Sequence, residues 1–251
     1  MKLRDDLRKR RCTIGSWLTI GDESVAEIMA RSGFDWLVVD MEHSAITIES
    51  AQKLIRTIDL AGVMPLVRVG ENDPALIKRV MDAGAYGVVV PMVNCRSDAE
   101  RAVRAVRYPP LGTRGVGLAR AQGYGFSFQE YLDRINRESV VIAQIEHIDA
   151  VRNLESILTV EGVDGSIIGP YDLSGSLGHP GEFANPAVKK ALAEYERICR
   201  KLQKPMGSHV VQPDPELARS LRKRGYSFIA VGIDMLYLGT KARESAREAK
   251  R

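Results

Sequence analysis

Two carboxylates stand out by where they fall in the chain. Glu146 closes the apolar run Val140-Val141-Ile142-Ala143-Gln144-Ile145, and Asp172 comes just past Gly165-Ser166-Ile167-Ile168-Gly169-Pro170-Tyr171. Loop-type sequence follows each. Carboxylates leaving neighbouring buried strands can converge on one point, and a hard divalent cation is the usual reason to collect them there. Other polar residues end apolar runs in the same way: Asp40-Met41-Glu42-His43, Arg68, and Gln144 two residues before Glu146. Each has a plainer reading. A strand-end acid can cap the next helix, a lone histidine is more often structural, and Arg68 can pair with any nearby acid. Taken together the set is more specific. Two carboxylates hold Mg2+ or Mn2+ through oxygen and leave positions for water and substrate. An arginine beside them engages a carboxylate or a developing oxyanion. Histidine, as a residue type, titrates near neutrality and can shuttle a proton. Metal, cation and base around one cavity suit enolate formation from a 2-oxo acid.

Such convergence requires a scaffold that brings strand ends together. Short β-branched runs alternate with longer segments of helical period, the pattern of a parallel sheet built from βα units. The pattern predicts strands at 14–18, 36–40, 65–69, 87–91, 140–145, 165–168, 206–210 and 228–231. It predicts helices at 24–32, 48–60, 74–82, 98–107, 150–158, 187–202, 215–223 and 235–248. Eight such units in 251 residues match the count and length of a (β/α)8 TIM barrel, an α/β fold, read here as one domain over residues 1–251. The competing arrangement is an open doubly wound sheet. Its nucleotide-binding version lacks support, because no GxGxxG follows the first strand. Gly33, Gly84 and Gly225 each follow a helical segment and precede a strand, as C-terminal helix stops do.

One connection is long. Residues 108–139 open with Pro109-Pro110-Leu111-Gly112-Thr113-Arg114-Gly115 and continue through Gly123-Tyr124-Gly125-Phe126 into a short helix at 128–136. Long connections in compact domains are usually functional or disordered. This one starts at the N-terminal end of the barrel but has the length to cross to the other end or to a neighbouring subunit. A structural insertion and a substrate contact both remain open.

Lys plus Arg exceed Asp plus Glu by 36 to 32, for a net charge of +4. The excess is scattered, with no basic face interleaved with aromatics, so nucleic acid is not an expected partner. A modest pull on anionic substrates is all it supports. Cys12, Cys95 and Cys199 are odd in number and far apart, with no CxxC. That argues against a disulfide framework or a zinc site and fits a reducing compartment. Residues 1–11 are charged throughout and lack a signal peptide's apolar segment. No run approaches ~20 apolar residues, so no membrane span is expected. The expectation is a soluble cytoplasmic protein.

Several motifs occur in a fixed order: Val39-Asp40-Met41-Glu42-His43; Val67-Arg68 with Asn72-Asp73-Pro74; Val90-Pro91-Met92-Val93; Arg107-Tyr108-Pro109-Pro110 with Gly112 and Arg114-Gly115; Gln144-Ile145-Glu146; and Gly162-Val163-Asp164-Gly165 through Ile168-Gly169-Pro170-Tyr171-Asp172-Leu173-Ser174. In this order they resemble the HpcH/HpaI aldolase family, class II pyruvate-dependent aldolases related to the citrate lyase β-subunit, over essentially the whole chain. The resemblance implies a TIM barrel of the phosphoenolpyruvate/pyruvate-domain type. It implies Glu146 and Asp172 as ligands of a divalent metal (Mg2+, Mn2+ or Co2+). Gln144 and the Tyr171 main chain, beside Asp172, would help hold a 2-oxo acid. Arg68 would bind substrate and stabilise the enolate. His43 would move protons with its basicity raised by Asp82, a residue that locally reads only as a solvated polar group near a helix end. The implied reaction joins the enolate of pyruvate, or a close 2-oxo acid, to an aldehyde, and in reverse cleaves a 4-hydroxy-2-oxo acid, with the metal as Lewis acid and template. No lysine at a strand end suits a Schiff base. A homohexamer, a trimer of dimers with exchanged last helices, is the implied assembly.

The stretch after Arg114 departs from members that act on long dicarboxylic substrates. It reads Gly-Val-Gly-Leu-Ala-Arg-Ala-Gln-Gly-Tyr-Gly where theirs resembles Ser-Ala-Leu-Ala-Arg-Ala-Ser. This segment is expected to line the acceptor side, which leaves the aldehyde open. His209 adds a polar group near the mouth, although a satisfied strand-end histidine is the plainer reading. His147 should point away from Glu146 by strand alternation, and His179 lies in the loop after Asp172. Two alternatives stand beside the aldolase: a Claisen-type lyase or synthase using an acyl donor, and a binding barrel without catalysis.

Overall fold

The computed structural model describes residues 3–251. After α1 (Leu3–Arg8) come β1 (Thr13–Leu18), α2 (Glu23–Ala30), β2 (Trp36–Asp40), α3 (Ile48–Leu60), β3 (Met64–Arg68), α4 (Pro74–Asp82), β4 (Gly87–Val90) and α5 (Arg96–Val106). A 3-10 segment (Arg120–Gly125) and α6 (Phe128–Glu138) lead to β5 (Val140–Ile145), α7 (Ile148–Arg152) and α8 (Leu154–Leu158). The remainder is β6 (Gly165–Ile168), α9 (Pro170–Ser176), α10 (Pro186–Lys201), β7 (Met206–Val210), α11 (Pro215–Lys223), β8 (Phe228–Ile233) and α12 (Asp234–Glu248). The eight strands pair in sequence order, all parallel, and β8 closes on β1. This is the expected (β/α)8 TIM barrel.

Strand pleating sorts the side chains into two cores. Residues facing the barrel axis, among them Trp36, Val38, Leu66, Ile142 and Phe228, form the inner core. Trp36 and Phe228 stack there with ring centroids 4.0 Å apart. Gly15 makes the stack possible, because a Cβ at that position would meet the Trp36 ring at 2.2 Å. Residues facing outward, such as Leu37, Val39, Val67 and Ile145, pack against the helices. Leu3 and Leu7 of α1 join the inner core and close the N-terminal end of the barrel. Burial of each contributes roughly 1.5–3 kcal/mol. Arg4 of the same helix fixes the plug through its Nε, 2.6 Å from Asp164 Oδ1.

Helix starts cluster at the C-terminal end of the barrel. Asp22, Asp73 and Asp214 cap α2, α4 and α11 by accepting from backbone N–H groups, and Thr47 caps α3. Proline at the first turn of α4, α10 and α11 is preset for helix and loses no needed donor. Residues 150–158 were expected as one helix, but Asn153 leaves helical geometry and splits it into α7 and α8. The Asn153 side chain donates to the Asn94 carbonyl at 2.9 Å, a tie to the loop before α5. Neither α1 nor α9 was predicted, since six residues of which four are charged, and seven rich in Ser and Gly, are too short to carry a readable helical period. Among the described residues no helix is long and apolar enough to cross a membrane.

Candidate active site

Period-two alternation fixes which side chains reach the barrel axis. Arg68 follows Met64 and Leu66 on one face of β3, while Gln144 and Glu146 follow Val140 and Ile142 on β5, and these apolar partners all belong to the inner core. Asp40 at the end of β2 stands directly beside Arg68 in the parallel register.

Asp40 is almost fully buried, and its carboxylate serves both Arg68 and the turn that follows β2. Its Oδ1 lies 2.9 Å from Arg68 Nε and its Oδ2 2.6 Å from Arg68 Nη2, a two-pronged contact. Oδ1 also accepts from the backbone N–H of Glu42 (3.0 Å) and of His43 (3.3 Å), which shapes the turn that carries His43. Glu42 Oε2 sits 3.1 Å from Arg68 Nη1 and 3.9 Å from His43 Nε2. Burial raises the Glu42 pKa against the lowering pull of Arg68. The His43 ring is otherwise exposed at the mouth.

Glu146 is 4% exposed. Its Oε1 accepts from the Met92 N–H at 2.6 Å and its Oε2 from Gln144 Nε2 at 2.5 Å. Met92 holds φ at +51° to aim that N–H, a strained backbone for a residue with a side chain. Desolvation is the main force raising the Glu146 pKa, and the Asp172 charge pushes the same way. Neither carboxylate is a helix cap. The N-cap of α7 is His147, whose ring nitrogen accepts from the Asp149 N–H at 3.2 Å, and that of α9 is Gly169. Asp172 stands exposed in the first turn of α9 beside the equally exposed Tyr171.

Gly169 marks the space between the two acids. A Cβ built there would lie 3.4 Å from Glu146 Oε2 and 3.9 Å from Asp172 Oδ2. Two carboxylates of like charge thus face one small cradle, a donor set that fits a hard divalent cation. Among the described residues no third His, Cys, Asp or Glu joins them. The remaining coordination positions would fall to water or substrate, as with Mg2+ or Mn2+ and unlike a three-ligand zinc centre.

Beside the cradle opens a cavity of about 220 Å3 lined by Trp17, His43, Arg68, Gln144, Asp172 and His209, among others. It is sized for a small ligand. Larger cavities of about 340 and 520 Å3 lie against the N-terminal ends of β4 and β6. A barrel assembles its chemistry at the opposite end, so the small cavity is the candidate.

Two expectations are not met within one chain. Asp82 ends α4, which runs back from the candidate site for roughly 13 Å, and its carboxylate pairs with Arg114 at 2.6 Å, not with His43. Arg114 is fully enclosed there, also donating to the Tyr131 hydroxyl and lying over the Tyr108 ring. The connection after α5 was expected to line the acceptor side. Instead it packs across the C-terminal ends of α3 and α4, with Arg120 2.5 Å from Asp59 and donating to the Ala83 carbonyl. Its Tyr124 and Arg120 line the 340 Å3 cavity at that end. Sequence reasoning listed Asp40 among the strand-end polar residues without giving it a role, and it did not single out Trp17. The aspartate's signal was its place at the end of the buried run Trp36–Asp40 and three residues before His43. Trp17 carried none beyond hydrophobicity.

Comparison with known proteins matches residues 13–239 to HpcH/HpaI aldolase/citrate lyase. The chain is 40% identical to the 2-dehydro-3,6-dideoxy-6-sulfogluconate aldolase of Pseudomonas putida, covering 95% of this chain and 92% of that protein. It is 39% identical to a hydroxypyruvate/pyruvate aldolase of Pseudomonas aeruginosa, covering 99% and 92%. Among solved structures, an HpcH/HpaI aldolase/citrate lyase family protein from Burkholderia cenocepacia J2315 superposes with a TM-score of 0.93 at 34% identity, over 100% of this chain and 99% of that one. Matched in fold and sequence along nearly its whole length, the chain belongs to the HpcH/HpaI aldolase/citrate lyase family.

Proposed function

We propose that this protein is a class II aldolase that reversibly cleaves a 4-hydroxy-2-oxo acid into pyruvate, or a close 2-oxo acid, and an aldehyde. The observation that carries the reading is the Gly169 cradle: oxygens of Glu146 and Asp172 converge on it at the exits of β5 and β6, beside Arg68. Glu146 and Asp172 would hold a divalent cation (Mg2+, Mn2+ or Co2+). When bound, such a cation supplies Lewis acidity and a template for the carboxylate and keto oxygens of the 2-oxo acid.

The chain's own residues account for the rest. Arg68 has five N–H donors, of which three are committed to Asp40 and Glu42. Two remain for the oxygen that gains negative charge as the C3–C4 bond breaks, and because Asp40 already fixes the guanidinium, no reorganisation is needed. Gln144 and Tyr171 border the same cavity and would orient the 2-oxo acid. His43, at the open mouth, would take the proton from the C4 hydroxyl. The bond electrons pass to the enolate, the aldehyde leaves, and protonation at C3 gives the 2-oxo acid.

Pairing of His43 with Asp82 requires a second copy of the chain, because one chain directs Asp82 to Arg114 at the other end of α4. A homo-oligomer, read as a hexamer, is therefore part of the proposal. The three cysteines are free thiols, which supports a reducing, cytoplasmic setting. A coupled assay of pyruvate release from a panel of 4-hydroxy-2-oxo acids tests the reading. Turnover that EDTA abolishes and Mn2+ or Mg2+ restores is expected; turnover only with acyl donors would sink it.

A further inference from the structure

A cavity of about 520 Å3 opens at the N-terminal end of the barrel, where α1, the end of α5 and the turns before β6 and β7 meet. Its volume is that of a small-molecule site, and the aldol reading gives it no task. Four cations, Arg4, Arg8, Arg107 and Lys204, line it against two acids, Glu161 and Asp164, a net charge of +2. Glu161 is exposed to solvent. Asp164 is already committed within the wall. Its Oδ1 lies 2.6 Å from Arg4 Nε, and its Oδ2 accepts from the Val141 N–H at 3.1 Å. Among the described residues Lys204 donates to the Val163 carbonyl at 2.9 Å and pairs with no acid.

Arg107 is the group that asks for a ligand. It is 5% exposed. Its Nη1 donates to the Asn136 carbonyl, while Nε and Nη2 are buried and have no hydrogen-bond partner among the described residues. Asp164 Oδ2 comes only to 4.0 Å from Nη2. These two N–H groups form one edge of the guanidinium, the same edge with which Arg68 grips Asp40. Gly162, another residue of the cavity wall, leaves that edge uncovered by any side chain of its own: a Cβ built there would lie 3.4 Å from Nε. Buried donors left unpaired are costly, so this edge suits an acceptor from outside the chain. Burial lowers the pKa of Arg107 and of Lys204, and for both the charges of Arg4 and Arg8 push the same way. A bound anion would relieve that repulsion.

We propose that this cavity binds a phosphoryl dianion, with two of its oxygens on the Nε–Nη2 edge of Arg107 and with Arg8 and Lys204 as counter-charges. A planar fork matches two phosphate oxygens. The group carries about −1.5 to −2 near neutral pH, which balances the wall; a single carboxylate would balance only half of it. It is either free phosphate or the head of a small phosphate monoester, whose organic part the remaining volume would hold. The site lies at the end of the barrel opposite Glu146 and Asp172, so it binds a ligand other than the substrate. It stands or falls apart from the aldolase reading.

Isothermal titration calorimetry with inorganic phosphate tests it, on protein freed of metal and at an ionic strength fixed with sodium chloride. Saturable binding is expected, weakened roughly tenfold in Arg8→Gln and in Lys204→Gln. Arg107→Lys keeps the charge, loses the fork and is expected to weaken it at least as much. Arg8 is exposed and Lys204 half-buried, so their variants read the site even where Arg107→Lys fails to fold. Glycerol 3-phosphate in a second arm separates the two sources. Tighter binding than inorganic phosphate assigns the cavity to a phosphate monoester, and weaker binding assigns it to free phosphate. Arg68→Ala is expected to bind phosphate as the unaltered protein does; a loss there places the anion at the other end of the barrel and overturns the proposal. Absence of saturable binding, or unchanged affinity in both Arg8→Gln and Lys204→Gln, overturns it as well.

Discussion

Arg68 and Asp40, side by side in the β2–β3 register, meet through two parallel contacts of 2.9 and 2.6 Å, and the same carboxylate holds the turn that carries His43. One buried acid thus sets the position of both the cation and the candidate base. The pair is a positioning device as much as a structural one. A guanidinium fixed before substrate arrives stabilises developing charge without paying for its own ordering.

Arg68→Lys keeps the charge and loses the fork. Cleavage kcat/KM is expected to fall by roughly 10²–10³-fold, the usual loss for one preorganised donor. Steady-state kinetics read the effect, with thermal unfolding as the control for folding. Activity within fivefold of the unaltered enzyme would remove Arg68 from the reaction. Asp40→Ala should also destabilise the fold by about 3–5 kcal/mol, because it breaks a buried pair and leaves Arg68 without its main counter-charge.

Glu146→Gln and Asp172→Asn are expected to abolish divalent-cation binding while leaving circular dichroism unchanged. Titration with Mn2+ followed by electron paramagnetic resonance measures it directly. Gln144→Ala keeps both carboxylates but removes the 2.5 Å contact that orients Glu146. Its affinity should drop by about 10–100-fold, as when a group that only orients a ligand is lost. Unchanged Mn2+ affinity in Glu146→Gln would show that the cradle is not the metal site.

His209 links stability to pH. Its folded pKa of about 4 lies below the ordinary histidine value of about 6.5, so the unfolded chain takes up the proton first. Stability from the neutral ring is therefore complete above about pH 6.5 and is lost as pH falls toward 4, by about 3 kcal/mol at most. Urea unfolding of the unaltered protein and of His209→Phe across this window should show the slope only in the former. Equal slopes would mean that His209 does not stay neutral in the fold.

Asp82 is predicted to act on two fronts. Asp82→Asn weakens the only charged partner that the enclosed Arg114 has among the described residues and should cost about 3 kcal/mol of stability, measured by denaturant unfolding. If Asp82 also serves His43 of another copy, mixing inactive His43→Ala with inactive Asp82→Asn under conditions of subunit exchange restores activity. Mixtures as inactive as their components would rule out a site shared between copies.

Much of this protein is written locally. Strands buried on both faces need near-continuous apolar runs, so 36–40 and 140–145 could be bounded from composition. Asp73-Pro74 announces a helix start through capping and a preset φ. Period-two alternation even sends Arg68, Gln144 and Glu146 to the axis, since all sit at fixed parity from inner-core residues. What the chain could not disclose depends on residues distant in sequence. The Asp40–Arg68 pair joins positions 28 apart, and the Met92 N–H reaches Glu146 across 54. Trp17 meets His209 only because β8 closes on β1 and brings the first and seventh strands to one cavity. Asp82 and His43 look like partners by resemblance, yet the length of α4 sets them at opposite ends of the barrel. Residue type and period, which are local, determined the fold and the candidate list. Barrel closure and helix length, which are not, decided which candidates share a cavity, whether Glu146 is a cap, and that His209 stacks on Trp17.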